Sequence, residues 1–182
     1  MIVIFGPAGA GKSIQGQILA ARMGWRWLSA GQILRDTRDP EILRHMHGGN
    51  LMPHETVVKV MGEAISKAGD IDEIILDGFP REMEQAEWLV NSQTDHGRDI
   101  KLVVVLEVSR QELLNRLAIR GRADDVPDAI DKRLEIYRQA MYPILGYFTD
   151  QHVAVVHIDG EGQVGEIHDR IYAELDSRGL IK

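Results

Sequence analysis

The first thirteen residues constrain this chain more than any other part of it. Ile2–Phe5 is a continuous apolar run that leads directly into Gly6-Pro7-Ala8-Gly9-Ala10-Gly11-Lys12-Ser13, after which helical spacing begins. This is the pattern G-x-x-x-x-G-K-[ST] in the strand, loop and helix setting that it requires. The glycines let the backbone curl until successive N–H groups point into one concavity, and the helix N-terminus adds a positive partial charge there. Lys12 can then reach the β- and γ-phosphates of a nucleotide, while the Ser13 hydroxyl can approach magnesium. No basic residue precedes the apolar run, so a buried strand is expected at the start rather than a signal peptide.

Further along, apolar runs rich in Val and Ile recur at Ile74–Leu76, Leu102–Val108 and Val153–Ile158, with a weaker candidate at Arg26–Ser29. Near-continuous runs of this kind suit parallel strands covered on both faces. Helical spacing lies between them at Ser13–Met23, Glu55–Ala68, Glu82–Val90, Arg110–Ile119, Asp128–Tyr137 and Glu166–Leu175. The alternation predicts an α/β fold with right-handed crossovers. Ala30–Pro53 breaks the rhythm with short helical pieces and turn residues, and Gly121–Pro127 does so with a short charged loop. The 182 residues show no repeat or linker, so one domain with two small excursions is expected.

Composition narrows the partners. A net charge of −7 argues against general affinity for nucleic acid or anionic membrane, so any cationic site must be local. The absence of cysteine excludes disulfides and thiolate zinc, and fits a cytoplasmic protein. No apolar run reaches the roughly 18 residues that span a bilayer.

A second candidate site follows the third apolar run, where Ile74-Ile75-Leu76-Asp77-Gly78-Phe79-Pro80-Arg81 reads as a buried strand, a carboxylate, a turn and an arginine. Ligands of open α/β sheets bind at the carboxyl ends of the strands. Asp77 should therefore lie beside the phosphate loop, placed for magnesium or its waters, although an N-cap or a simple Asp-Gly turn would use the same residues. Arg116 and Arg120 stand one helical turn apart, where like charges repel by a few tenths of a kcal/mol, and Arg122 follows at once. Asp124-Asp125 can relieve some of that repulsion, but such a cluster in an acidic chain still suggests a polyanionic ligand. The split of fifteen Arg against six Lys suits planar forks on phosphate oxygens. Arg38, Arg44, Arg98, Arg110, Arg138, Arg170 and Arg178 are read as ordinary surface charges. His45, His47 and His54 are read as surface residues, and Trp25, Trp27 and Trp88 as packing.

In order along the chain, GPAGAGKS, LSAGQILR (Leu28–Arg35), DGFPREMEQ (Asp77–Gln85) and GRADD…KRL (Gly121–Leu134) resemble the signatures of the adenylate kinase family. The resemblance implies a P-loop NTPase three-layer fold with a central five-stranded parallel sheet. It also implies a monophosphate-binding excursion at about 29–52 and a minimal lid at about 120–125. The implied reaction is reversible, Mg²⁺-dependent phosphoryl transfer from ATP to AMP giving two ADP, by a monomer whose partners are nucleotides. Gly9, Ala10, Gly11, Lys12, Ser13, Ile14, Arg116, Arg120 and Gly162 are assigned to ATP, with Ser13 and Asp77 at the metal. Arg35 and Arg81 should grip the AMP phosphate, Gln85 should bond the adenine, and Ala30, Asn50, Leu51, Met52, Gly78, Phe79 and Pro80 should line its site. Arg120, Arg122 and Arg133 match arginines that surround the transferring group, Arg122 and Arg133 also facing AMP. With Lys12 and Arg81 they complete the catalytic set.

An AMP phosphate is already an anionic nucleophile, so such a site needs alignment and charge neutralisation rather than a general base. The sequence departs from the family at three points. Ser13-Ile14 stands where Gly-Thr is usual, Ala30 and Gln32 replace Thr and Asp, and the lid segment is very short. Ala30 is the residue typical of UMP/CMP kinases, which keeps a pyrimidine-directed kinase open as an alternative. A nucleotide-binding regulatory protein is a more distant alternative, because it would not need a second phosphate site.

Overall fold

The computed structural model describes residues 1–122 and 125–181. Its five strands are β1 (Ile2–Phe5), β2 (Arg26–Ser29), β3 (Ile74–Asp77), β4 (Leu102–Glu107) and β5 (Val155–Asp159). All pair in parallel, in the order β2-β3-β1-β4-β5. The chain leaves β1 toward one edge, returns through β3, and crosses β1 to reach β4. The strands that flank this reversal, β1 and β3, end side by side with Ile4 opposite Asp77.

The sheet is buried on both faces, and period-two alternation sorts its side chains. Val3, Phe5, Leu76, Val103 and Val105 point to one core, with Val57, Met61 and Ile65 of α4 (His54–Ser66) and Leu89 of α5 (Met83–Asn91). Ile2, Ile4, Ile75, Val104 and Leu106 point to the other. There they meet Leu19 of α1 (Lys12–Met23), Leu117 of α7 (Arg110–Arg120) and Ile171 of α9 (Val164–Ser177). The result is the expected three-layer α/β arrangement around a five-stranded parallel sheet, and Arg26–Ser29, the weaker strand candidate, is the edge strand β2.

The segment between β2 and α4 folds as two short helices, α2 (Ala30–Asp36) and α3 (Pro40–His47). Each starts where the sequence provides a cap. Ser29 Oγ accepts from Gln32 N at 3.4 Å, and Asp39 accepts from Glu41 N at 2.8 Å with Pro40 at the first helical position. A four-residue helix, α6 (Gln93–His96), follows α5.

One element is far longer than its spacing indicates. The helix expected to end at Tyr137 continues as α8 (Pro127–Asp150), with Pro143 inside it. An internal proline costs about 3 kcal/mol. Beyond it Ile144, Leu145 and Phe148 are buried, each contributing about 1.5–3 kcal/mol, so packing outweighs the proline. The first half of α8 sends Ile130 and Leu134 into one core and the second half sends Ile144 and Phe148 into the other.

Gly16 gives a test of how tightly α1 sits on the sheet. Alanine normally stabilises a helical position by about 1 kcal/mol over glycine. A Cβ here would stand 2.6 Å from Trp27 Cδ1 and 2.9 Å from Nε1, and overpacking costs about 1–3 kcal/mol. We expect Gly16→Ala to lower the urea midpoint; a raised midpoint would show that the indole swings aside without cost.

A phosphate loop facing an arginine-lined turn

At the start of α1 the chain exposes backbone rather than side chain. Gly11 caps the helix at φ +93 with no side-chain cap, so the first-turn N–H groups face the loop. Gly6 and Gly9 also hold positive φ, and a Cβ on Gly9 would stand 3.0 Å from Leu117 Cγ. Glycine is thus required there by backbone conformation and by the neighbouring helix. Lys12 folds back over the loop, its Nζ donating to the carbonyls of Gly6 (2.7 Å) and Pro7 (2.8 Å).

β3 delivers the second half of the site. Asp77, 2% exposed, accepts from Ser13 Oγ at 2.6 Å. This places a carboxylate and a hydroxyl side by side at the mouth of the phosphate loop. Magnesium is commonly held by one or two carboxylates together with phosphate oxygens, and this oxygen pair fits such an ion. Gly78, at φ +71, turns the chain, and Arg81 Nε reaches back to the Gly78 carbonyl at 2.9 Å. A Cβ on Gly78 would stand 2.9 Å from Arg81 Nη2, so the turn and the arginine exclude a side chain together.

Both halves open on one cleft of about 550 Å³. Its walls include Gly9, Gly11, Lys12, Ser13, Ile14, Arg116, Arg120 and Gly162 from the expected ATP set. They also include Ala30, Arg35, Asn50, Leu51, Met52, Gly78, Phe79, Pro80, Arg81, Gln85, Arg122 and Arg133 from the expected AMP set, with Asp77 between. Ala10 departs from this pattern. It is fully buried off the cleft, and its N–H donates within the loop to Pro7 O at 3.2 Å. Gln85 is 2% exposed, and its amide is already engaged, accepting from Arg81 N at 2.9 Å and donating to Glu82 at 2.8 Å.

Asp125, which the sequence offers only as relief of the arginine repulsion, is a member of the site itself. Its carboxylate is buried between two arginines, taking Arg120 in a fork (2.7 and 2.5 Å) and Arg133 at 2.9 Å. It also accepts from the backbone N–H of Arg122 at 3.2 Å. Burial alone would raise this carboxyl, yet the bonds from Arg120 and Arg133 outweigh it and hold it at about 2. The arginine run pointed to a polyanion, but nothing in the spacing said which acid would hold the run in place. Asp124, the other acid read as relief of the arginine repulsion, lies outside the described residues.

Two surface arginines are corrected as well. Arg98 donates to the carbonyls of Gly69, Ile71 and Asp72, and Arg170 to those of Asp159 (2.8 Å) and Glu161 (2.7 Å). Both fasten loops. Arg170 fastens the one that carries Gly162, whose side-chain-free position leaves room for Glu166 Oε2.

A phosphate loop and an arginine-lined turn sharing one cleft at the carboxyl ends of a parallel sheet define a nucleotide-binding phosphotransferase of the P-loop class. A family model described as adenylate kinase matches residues 4–153. The chain is 34% identical to the adenylate kinase of Mycolicibacterium paratuberculosis, the match covering 96% of this chain and 98% of the relative. It is 37% identical to that of Maricaulis maris (97% and 99% covered) and 35% identical to that of Thermus thermophilus (96% of each). The chain belongs to the adenylate kinase family. Among the described residues, no helix is long and apolar enough to cross a membrane.

The cationic cleft gives a pH signature. Burial lowers the Lys12 ammonium from 10.5 to about 8; Asp77 opposes the shift, while Arg81, Arg120 and Arg133 add to it. Because kcat/KM reports groups of the free enzyme, its value for ATP should fall as pH rises through about 8. A profile flat to well above that pH would show that Lys12 keeps its proton there.

Proposed function

We propose that the protein transfers the γ-phosphoryl group of ATP to AMP, reversibly and with Mg²⁺, giving two ADP. The observation that carries this reading is the pairing, across one cleft, of two separate anion-holding arrangements with Asp77 between them. A regulatory nucleotide-binding protein would need only the phosphate loop.

ATP phosphates lie on the Gly9–Ser13 backbone and Lys12, with the base toward Ile14 and Gly162. Ile14 is half exposed on the cleft wall and offers the base an apolar surface. Ser13 and Asp77 would hold Mg²⁺, which would supply charge neutralisation at the phosphates. AMP enters opposite, its phosphate on Arg35 and Arg81 and its base along Asn50–Met52, Gly78–Pro80 and Gln85. In-line approach of two polyanions is then a matter of neutralising charge, which Lys12, Arg81, Arg120, Arg122 and Arg133 supply. As a phosphoryl group arrives, its oxygens compete with Asp125 for Arg120 and Arg133.

Base choice rests on Gln85 and Ala30. The Gln85 side chain carries both a donor and an acceptor for an adenine edge, because Glu82 and Arg81 each use only part of its amide's bonding capacity. Ala30 is 3% exposed and apolar, so it rejects a pyrimidine only by shape. A coupled assay with ATP and AMP, CMP, UMP or GMP in turn should show AMP as the best acceptor. CMP above AMP would replace this reading with a pyrimidine-directed kinase.

Two variants separate the halves of the site. Lys12→Met should fold and lose 10²–10³ in turnover, about 3–4 kcal/mol for a preorganised charge at the transferring group. Arg81→Ala should raise the KM for AMP with little change for ATP. Normal turnover in a folded Lys12→Met protein would remove the phosphate loop from the chemistry, and equal losses for both substrates would place Arg81 on the wrong side.

A further inference from the structure

The segment expected to meet the monophosphate base, Asn50–Met52, has no regular secondary structure of its own. Side chains and helices on either side fix it instead. From α3, half-buried His45 places Nε2 2.5 Å from the carbonyl oxygen of Leu51. A carbonyl only accepts, so the ring carries its proton on Nε2 and donates. From α8, Lys132 donates to Asn50 Oδ1. Gly49, at φ +68, is buried against Ala129, where a Cβ would stand 2.9 Å from the Ala129 oxygen.

We propose that His45 is a positioning residue for the monophosphate base, setting the Leu51–Met52 peptide in the orientation that the base meets. The inference rests on the reading above that AMP lies along Asn50–Met52. Because the peptide bond is planar, a bond to the Leu51 oxygen fixes the whole Leu51–Met52 unit. The Lys132 bond holds the preceding residue from the opposite side. Without His45 the peptide plane is free to rotate, and the base meets backbone that must be ordered at the moment of binding. Both the neutral tautomer and the imidazolium donate from Nε2, so the effect belongs to geometry rather than to charge.

The test is steady-state kinetics in both substrates on His45→Ala, His45→Gln and His47→Ala, with Arg81→Ala as the reference for the acceptor site. His45→Ala should raise the KM for AMP about three- to tenfold, the range for one lost hydrogen bond. The KM for ATP, and kcat at saturating AMP, should stay within about twofold. His45→Gln, whose amide N–H can reach the same carbonyl, should recover most of the loss, and exposed His47→Ala should cause none. Should His45→Ala fail to fold, His45→Met, which fills the space without a donor, takes its place against His45→Gln. The proposal is overturned by an unchanged KM for AMP, by equal rises for AMP and ATP, by a Gln variant no better than Ala or Met, or by a matching effect of His47→Ala. If Arg81→Ala itself leaves AMP unaffected, the acceptor site is misplaced, whatever His45 does.

Discussion

The arrangement depends on holding positive charge together before any phosphate arrives. Arg81, Arg120 and Arg133 all bear electrostatically on Lys12 in one cleft at the carboxyl ends of β1 and β3. Two buried carboxylates oppose them. Asp77, bonded to Ser13, supports the lysine, while Asp125 holds Arg120 and Arg133. A buried charge left without its partner costs several kcal/mol, so these acids are as much a part of the site as the cations.

That balance explains how so many cations can share one cleft. Lys12 turns to the Gly6 and Pro7 carbonyls, the same loop that would otherwise present only its N–H groups. Asp125 offers Arg120 a two-oxygen fork of the kind a phosphoryl group also presents. The arginines are therefore already oriented toward an anion, and exchanging one oxygen anion for another requires little rearrangement. Preorganisation of this sort is what a reaction between two anions needs most.

Much of this was readable in the residues. The phosphate loop was legible because its glycines and the following Lys-Ser form a pattern tied to one backbone geometry. Four of the five strands were legible because burial leaves near-continuous apolar runs, the edge strand β2 being the weak one. Asp77 could be placed because carboxyl ends of parallel strands converge. Other features carried no local signal. Pro143 disfavours a continuing helix, and only the apolar residues beyond it, packed against β1 and α5 partners distant in sequence, override that preference. His45, Arg98 and Arg170 each bond backbone carbonyls, and a carbonyl looks the same in every residue. Asp125 bonds arginines close to it in sequence, but their spacing does not say which of them it holds. The resting bonds of Gln85 to Arg81 and Glu82 were equally invisible, since they depend on how the turn at Gly78 closes.

Helix α8 has a mechanical consequence. At 24 residues it is about 36 Å long, and it is a member of both cores, one on each side of the sheet. Neither layer can loosen without straining the other through this shared beam, so the sheet and its flanking helices should open as one cooperative unit. Helix α3 is the opposite case, with no buried residue, and it lies at the low-stability end of the molecule. The acceptor side is thus hung from a stiff frame by a few side-chain ties, and amide exchange can run fast in one excursion while the phosphate loop beside it stays closed.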